Sequence, residues 1–98
     1  MEFIWDEKKN RLNIKKHGFD FADAWQVFDK DLLASLDDSQ DYGEERWIGI
    51  GMLNNGTVVL IVFVEEDNDA IRIISLRKAN RNEKSKYEEK IKDGLGSH

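Results

Sequence analysis

One stretch of this 98-residue sequence restricts the fold more than any other: residues 58–64 are apolar at every position and follow Asn54-Asn55-Gly56. An Asn-Gly pair supplies the positive φ angle of a tight hairpin. A short strand without polar positions is typical of the centre of a sheet, where both faces are covered. We therefore predict that 46–53 and 57–64 form a hairpin, and that a further turn leads to 70–78 and completes a three-stranded antiparallel meander.

The N-terminal third of the sequence predicts a short strand and two helices. Phe3 and Trp5 alternate with their neighbours, and Asp6 is suited to cap a first helix that runs to about Lys16 and ends at Gly18. A second helix follows. Its apolar residues recur at helical spacing and are predicted to enter the core: Phe21, Ala24, Trp25 and Phe28.

The remaining elements are a short edge strand and a terminal helix. Residues 32–37 predict the strand, and an acidic loop with one glycine follows it. Residues 80–92 predict the last helix, in which only Tyr87 and Ile91 are placed to anchor a mostly polar segment. We expect that helix to dock weakly.

Length and composition indicate one α+β domain, which we place at residues 1–93, followed by a flexible tail at 94–98. The chain has no cysteine, which excludes disulfides, thiolate metal sites and a cysteine nucleophile. Its apolar stretches are far shorter than the roughly 20 residues of a membrane helix, and the pattern of a signal peptide is missing. We therefore expect a cytoplasmic protein that does not contact the membrane.

Charge is distributed unevenly along the chain, whose net charge is −5. Residues 1–17 carry five positive and three negative charges, and 72–98 carry eight and four. The middle is acidic, with one positive and nine negative charges over 18–45 and one and four over 46–71. If the two basic ends meet in the fold, they form a surface suited to nucleic acid despite the net charge, although solvated lysine-rich helices would give the same pattern.

Several short motifs, in this order and spacing, resemble the BrnT family of toxins over about residues 2–91. They are Phe3-x-Trp5-Asp6, Asn13-x-x-Lys16-His17-Gly18, Phe21-x-x-Ala24-x-x-Val27-Phe28, Gly43-Glu44-Glu45-Arg46, and Ile71-Arg72-Ile73-Ile74-Ser75-x-Arg77-x-Ala79 with Glu83 and Tyr87. The resemblance implies an α+β fold of the RelE-like type: an antiparallel sheet with two N-terminal helices and one C-terminal helix. It also implies RNA cleavage that inhibits translation.

The same resemblance implies that the protein uses no metal or other cofactor. It implies a BrnA-type antitoxin with a ribbon-helix-helix segment as the partner that neutralises the toxin. We expect contacts with operator DNA to come only through that antitoxin, because the sequence has no helix-turn-helix or basic arm of its own.

Metal-free RNA cleavage needs a base for the ribose 2′-OH proton, an acid for the leaving oxygen, and cations at the phosphate. His17 is the only internal histidine and the natural proton carrier, although a histidine at a helix end can simply act as a cap. Arg72 and Arg77 are candidate phosphate ligands, since a guanidinium binds phosphate oxygens through two donors. Strict alternation places them on opposite faces, so both serve one site only if a bulge or strand end turns one of them.

The other candidates are weaker on their own. Glu45 is a possible base, and Arg72 could instead be a structural partner of Glu45 or another acid. Tyr87 is a possible acid or a packing residue. The remaining candidates are cations predicted to bind RNA: Lys16, Arg46, Lys78 and Arg81.

Two functions therefore stay open at this point. The first is a metal-independent endoribonuclease toxin that inhibits translation. The alternative is a catalytically weak or inert module that binds the antitoxin within an autoregulatory repressor complex, and the acidic net charge keeps it open.

Overall fold

A computed structural model describes residues 1–96, with side chains through Lys92, as one α+β domain built on a five-stranded sheet. The strands are β1 (Glu2–Ile4), β2 (Leu33–Asp37), β3 (Arg46–Met52), β4 (Val58–Glu66) and β5 (Ala70–Lys78). The helices are α1 (Glu7–His17), the single turn α2 (Trp25–Phe28) and α3 (Arg81–Gly96), and a 3₁₀ turn (Phe21–Asp23) precedes α2. No helix among these residues has the length and apolar character needed to cross a membrane.

The sequence prediction for the apolar strand is confirmed, because β4 is the middle strand in the order β1-β5-β4-β3-β2. Val59, Ile61 and Phe63 point toward α2 and the 3₁₀ turn, where the larger part of the core lies. The alternate residues Val58 and Leu60 point toward α3 and a smaller core. Gly56, at φ +90°, closes the hairpin that joins β3 to β4.

The prediction of a wholly antiparallel sheet is wrong at one edge. Strands β2 to β5 pair antiparallel with their neighbours, but β1 pairs parallel with β5, so the sheet is mixed. Most of the chain separates β1 from β5 in sequence, so no local turn signal specifies how β1 should pair. The RelE-like assignment stays a prediction from the resemblance.

A β-bulge in β5 changes where its two arginines point. The register with β4 shifts between Val62 and Phe63, which pair with Ser75 and Ile73 respectively. The extra residue on β5 reverses the alternation of its side chains beyond the bulge, so residues an odd number apart across it share a face. Arg72 and Arg77, five residues apart, therefore lie on the same face of the sheet, which is also the face that α3 covers.

The predicted second helix is instead a 3₁₀ turn followed by a single α-helical turn. A 3₁₀ turn has three residues per turn, so side chains three apart share a face. Phe21, Ala24 and Val27 are accordingly buried. Trp25, predicted to lie in the core, is 42% exposed because this tighter winding turns it outward.

Helix α1 begins and ends where the sequence predicts. The Asp6 carboxylate accepts a hydrogen bond from the Lys9 backbone N–H, and Gly18 ends the helix with φ +79°. Two buried asparagines attach it to the rest of the fold. Asn10 accepts from the Phe21 backbone N–H, and Asn13 is bonded to β5, so the basic first and last segments of the chain do meet.

Helix α3 is capped reciprocally, with Glu83 accepting from the Asn80 backbone N–H and Asn80 accepting from that of Glu83. Tyr87 is 4% exposed and anchors the helix to the sheet. The helix continues to Gly96, beyond the predicted end at 92 and into the predicted tail, whose residues 97–98 lie outside the described residues.

Candidate functional site

Lys16 and His17, the candidates that the sequence singled out on α1, lie at a groove of about 230 Å³ beside the bulge of β5. We call it the basic groove. Its polar wall comes from α1 and its floor from β5, and the residues used below are Lys9, Asn13, Lys16, His17 and Ser75.

The groove exists because β1 covers only the first three residues of β5. Beyond that point α1 replaces β1 along the edge of β5, through the Asn13 carboxamide. Its nitrogen donates to the carbonyls of Leu76 (2.8 Å) and Phe19 (2.9 Å), and its oxygen accepts from the Leu76 backbone N–H (3.2 Å). The side chain thus satisfies an edge that would otherwise need another strand.

The chemical content of the basic groove is one imidazole and two ammonium groups. His17 is the last residue of α1 and is half-buried, whereas Lys9 and Lys16 are exposed. A histidine can accept or donate a proton near neutral pH, and lysines attract phosphate oxygens. The arrangement is therefore suited to proton transfer on a bound anionic chain.

Arg72 lies on the α3 face of β5 but is engaged by two carboxylates. Its Nε donates to Glu66 (2.7 Å), and its Nη2 donates to Glu44. These contacts, first with Glu66 and then with Glu44, raise the pKa of the Arg72 guanidinium. The hydrogen bond from Arg72 in turn lowers the pKa of Glu44. The acids beside Arg72 are thus Glu44 and Glu66, whereas Glu45 is exposed.

Arg46 lies close to the same carboxylate, with its Nε 3.6 Å from an oxygen of Glu44. Its guanidinium carbon is 4.1 Å above the centre of the Tyr42 ring. Tyr42 is itself fixed by donating a hydrogen bond to Asp37 (2.9 Å). The Nε of Arg46 is buried without a hydrogen-bond partner, so the side chain is held by ring stacking and charge.

Arg77 and Arg72 pair with Leu60 and Val64, which are four residues apart on β4, so at roughly 3.3 Å per residue they lie about 13 Å apart. The Arg77 guanidinium is paired with a carboxylate through two donors. Its Nη1 and Nη2 donate to the two carboxylate oxygens of Glu83 at 2.9 and 2.8 Å. These bonds raise the pKa of Arg77 and lower that of Glu83. The guanidinium edge that would bind a phosphate is therefore occupied by the residue that caps α3.

The remaining predicted residues are separate from the basic groove. Tyr87 is buried and its hydroxyl donates to the Asp31 carbonyl (2.9 Å), while burial raises its pKa, so the structure gives it a packing role. Lys78 and Arg81 are exposed near the junction of β5 and α3. Of the predicted site, the fold brings together Lys16 with His17 and Arg46 with Arg72.

Sequence reasoning missed Lys9, Asn13 and Ser75 as members of one surface. Asn13 and Lys16 were visible within one motif, but nothing in the spacing shows that an asparagine replaces a strand. Lys9 lies two helical turns before Lys16, a spacing that places both on one face of α1.

The chain is similar to ribonuclease toxins in two comparisons. A family model described as "Ribonuclease toxin, BrnT, of type II toxin-antitoxin system" matches residues 5–83. A crystal structure of the Brucella abortus ribonuclease toxin BrnT is 31% identical and superposes with a TM-score of 0.62, covering 83% of this chain and 99% of that one. A search of curated proteins found no match.

Proposed function

Because the chain belongs to the BrnT family of ribonuclease toxins from type II toxin-antitoxin systems, we propose that it is a metal-independent endoribonuclease that inhibits translation. We further propose that it acts in the cytoplasm, that its fold is of the RelE-like type, and that a BrnA-type antitoxin neutralises it. The observation that carries the proposed activity is the basic groove, where His17 lies with Lys9 and Lys16 against β5.

In the proposed reaction His17 takes the proton of a ribose 2′-OH. The 2′-oxygen then bonds to phosphorus, the bond from phosphorus to the 5′-oxygen breaks, and that oxygen takes a proton from water. The hydroxide left behind takes the proton from His17, which returns to its starting form. The products are a 2′,3′-cyclic phosphate and a 5′-hydroxyl, and the reaction needs no metal. Lys9 and Lys16 hold the phosphate chain, and their charge stabilises the extra negative charge that develops on phosphorus.

The four arginines of the predicted site play a secondary part in this proposal. Arg72 and Arg77 share one face because of the bulge, and Ser75 lies between them and also lines the basic groove. An RNA strand that leaves the groove past Ser75 reaches that face. To bind it, Arg72 must exchange Glu44 or Glu66 for phosphate, and Arg77 must exchange Glu83. Arg46 and Arg81 add positive charge at the two ends of this path.

The same ion pairs favour the second candidate function, an inert module that binds the antitoxin within a repressor complex. If the carboxylates are never displaced, Arg72 and Arg77 serve only to stabilise the fold. In that case DNA binding would come from the antitoxin alone.

The test is to incubate the purified chain with a 5′-labelled RNA in the presence of EDTA and to analyse the product ends. We expect cleavage that leaves 2′,3′-cyclic phosphates, and controlled expression of the same chain should arrest growth. Cleavage that is abolished by chelation and restored by magnesium would contradict the metal-free mechanism. A folded chain that neither cleaves RNA nor arrests growth would favour the inert module.

A further inference from the structure

A second groove, of about 280 Å³, crosses the sheet on the face opposite α3, and we call it the apolar groove. Its lining includes Phe28, Ala34, Trp47 and Phe63, together with the carboxylate residue Glu65. Phe28 and Phe63 meet edge to face, with ring centroids 5.0 Å apart, and are part of the main core. The groove is therefore an open extension of that core.

The apolar groove is open because the helical layer stops before the sheet does. Helix α2 lies directly on β3, where a Cβ atom at Gly51 would come within 2.8 Å of the Cβ of Val27. It ends at the next residue, Phe28, so Ala34 of β2 is left exposed and Trp47 only partly covered. Leu36, which pairs with Trp47 on this face, is 47% exposed.

The segments that supply the lining of the apolar groove are acidic in sequence, and the lining itself holds one carboxylate. Apart from Met1, its lining comes from segments 18–45 and 46–71, in which two positive charges stand against thirteen negative ones. Glu65 lies in the lining, and the N-terminal amine is already paired with Asp69 at 3.1 Å. A segment that docks here must match both features, which means apolar side chains flanked by lysines or arginines.

We propose that the apolar groove is the anchor for the antitoxin, which inserts apolar side chains from a basic amphipathic segment. This rests on the proposed toxin function, because a type II system supplies a protein partner, and charge complementarity selects that partner over RNA. Docked side chains would complete the coverage of Trp47 and Leu36, and the acidic rim would accelerate association. Antitoxin binding and RNA cleavage then depend on different side chains of this small chain.

The proposal is tested with two neighbouring substitutions on β2. Ala34 and Ser35 are both exposed, but consecutive strand residues point to opposite faces, so Ala34→Glu enters the apolar groove and Ser35→Glu does not. The probe is the protein encoded by the reading frame adjacent to the gene for this chain. We expect Ala34→Glu to raise its Kd by about 30-fold or more, since a charge is buried in an apolar contact. Ser35→Glu should change it by less than about 3-fold.

Two further measurements keep the docking proposal separate from the proposed function. Both variants should arrest growth like the parent when expressed without the partner, and melting curves should show that both fold. If the parent does not arrest growth, but binds the partner in a way that Ala34→Glu weakens, the toxin function alone is contradicted. The docking proposal would be overturned if the partner bound Ala34→Glu as tightly as it binds the parent. It would also be overturned if Ser35→Glu weakened binding as much as Ala34→Glu does.

Other occupants of the apolar groove give different results. If a second copy of this chain occupies it, the parent sediments as a dimer and Ala34→Glu as a monomer, without the partner. If RNA occupies it, Ala34→Glu weakens binding of a non-cleavable oligonucleotide. Either result would overturn the proposal, whereas association that slows about 10-fold or more from low to high salt supports it.

Discussion

The basic groove and the apolar groove are held in place by different kinds of contact. In the basic groove a buried carboxamide, that of Asn13, fastens α1 to the edge of β5. Beside the apolar groove a single helical turn rests on Gly51 of β3. One surface thus depends on satisfied hydrogen bonds and the other on close backbone packing, so each can be disturbed without the other.

Charge separates the two grooves as well. Lys9, Lys16 and His17 line the first, and Glu65 lines the second. A chain with a net charge of −5 can therefore still present a local surface for RNA. The net charge of so small a domain therefore does not decide whether a local surface of it is suited to nucleic acid.

The largest effect is expected at His17. His17→Ala should lower the rate of RNA cleavage by about 100-fold or more, the usual contribution of a positioned proton carrier. Binding of the antitoxin should be unchanged, because His17 does not line the apolar groove. The matched control is His98→Ala, which replaces the other histidine of the chain and should cleave like the parent. Equal rates for His17→Ala and the parent would remove His17 from the mechanism.

Asn13→Ala should reduce stability the most among the structural variants. It deletes three hydrogen bonds and leaves the Leu76 amide and carbonyl unpaired at a buried edge. We expect the free energy of unfolding to fall by about 2–4 kcal/mol in urea denaturation. Asn82→Ala, on the exposed side of α3, should cost under about 0.5 kcal/mol. Similar losses for both variants would show that the carboxamide does not fasten α1.

Gly51→Ala should disturb the apolar groove by a smaller amount. The new methyl group would meet the Cβ of Val27, which cannot move without α2, so we expect a loss of about 1–3 kcal/mol. Gly49→Ala is the comparison on the same face, where the nearest atom is the mobile end of Leu32. It should cost less than Gly51→Ala in the same thermal or urea melts. The reverse order would contradict the seating of α2 on β3.

The smallest effect concerns the ion pair between Arg77 and Glu83. Because this pair lowers the pKa of Glu83 in the folded chain, its stabilisation is present above the ordinary pKa of a glutamate. It is lost as the pH falls through the lowered value. Glu83→Gln should flatten this acid limb of a stability curve by at most about 1 kcal/mol, since the pair is partly exposed. Glu88→Gln, at an exposed position of the same helix, should leave the curve unchanged.

The central strand, the cap at Asp6 and the end of α1 at Gly18 could be predicted because each depends on neighbouring residues. The pairing of β1 with β5 could not, since it joins the two ends of the chain. The bulge in β5 left no local mark either. The sequence showed only that Arg72 and Arg77 are an odd number of residues apart, which allowed a bulge without requiring one.

Predictions for the candidate site divide in the same way. His17 and Lys16 could be chosen from residue chemistry, and the fold places them in one groove. The partners of Arg72 and Arg77 could not be chosen, because Glu44, Glu66 and Glu83 were a few among many acids. Which carboxylate meets which arginine is decided by strand register and by the cap of α3.

The most direct test of the division between the two grooves is an NMR titration of the labelled chain with a non-cleavable 2′-deoxy oligonucleotide. We expect the amide shifts to concentrate in α1 from Lys9 to His17 and around Ser75, with smaller changes near Arg77. Residues of the apolar groove, including Ala34 and Trp47, should stay at their free positions. Shifts centred on Ala34 and Trp47, with α1 unaffected, would contradict it.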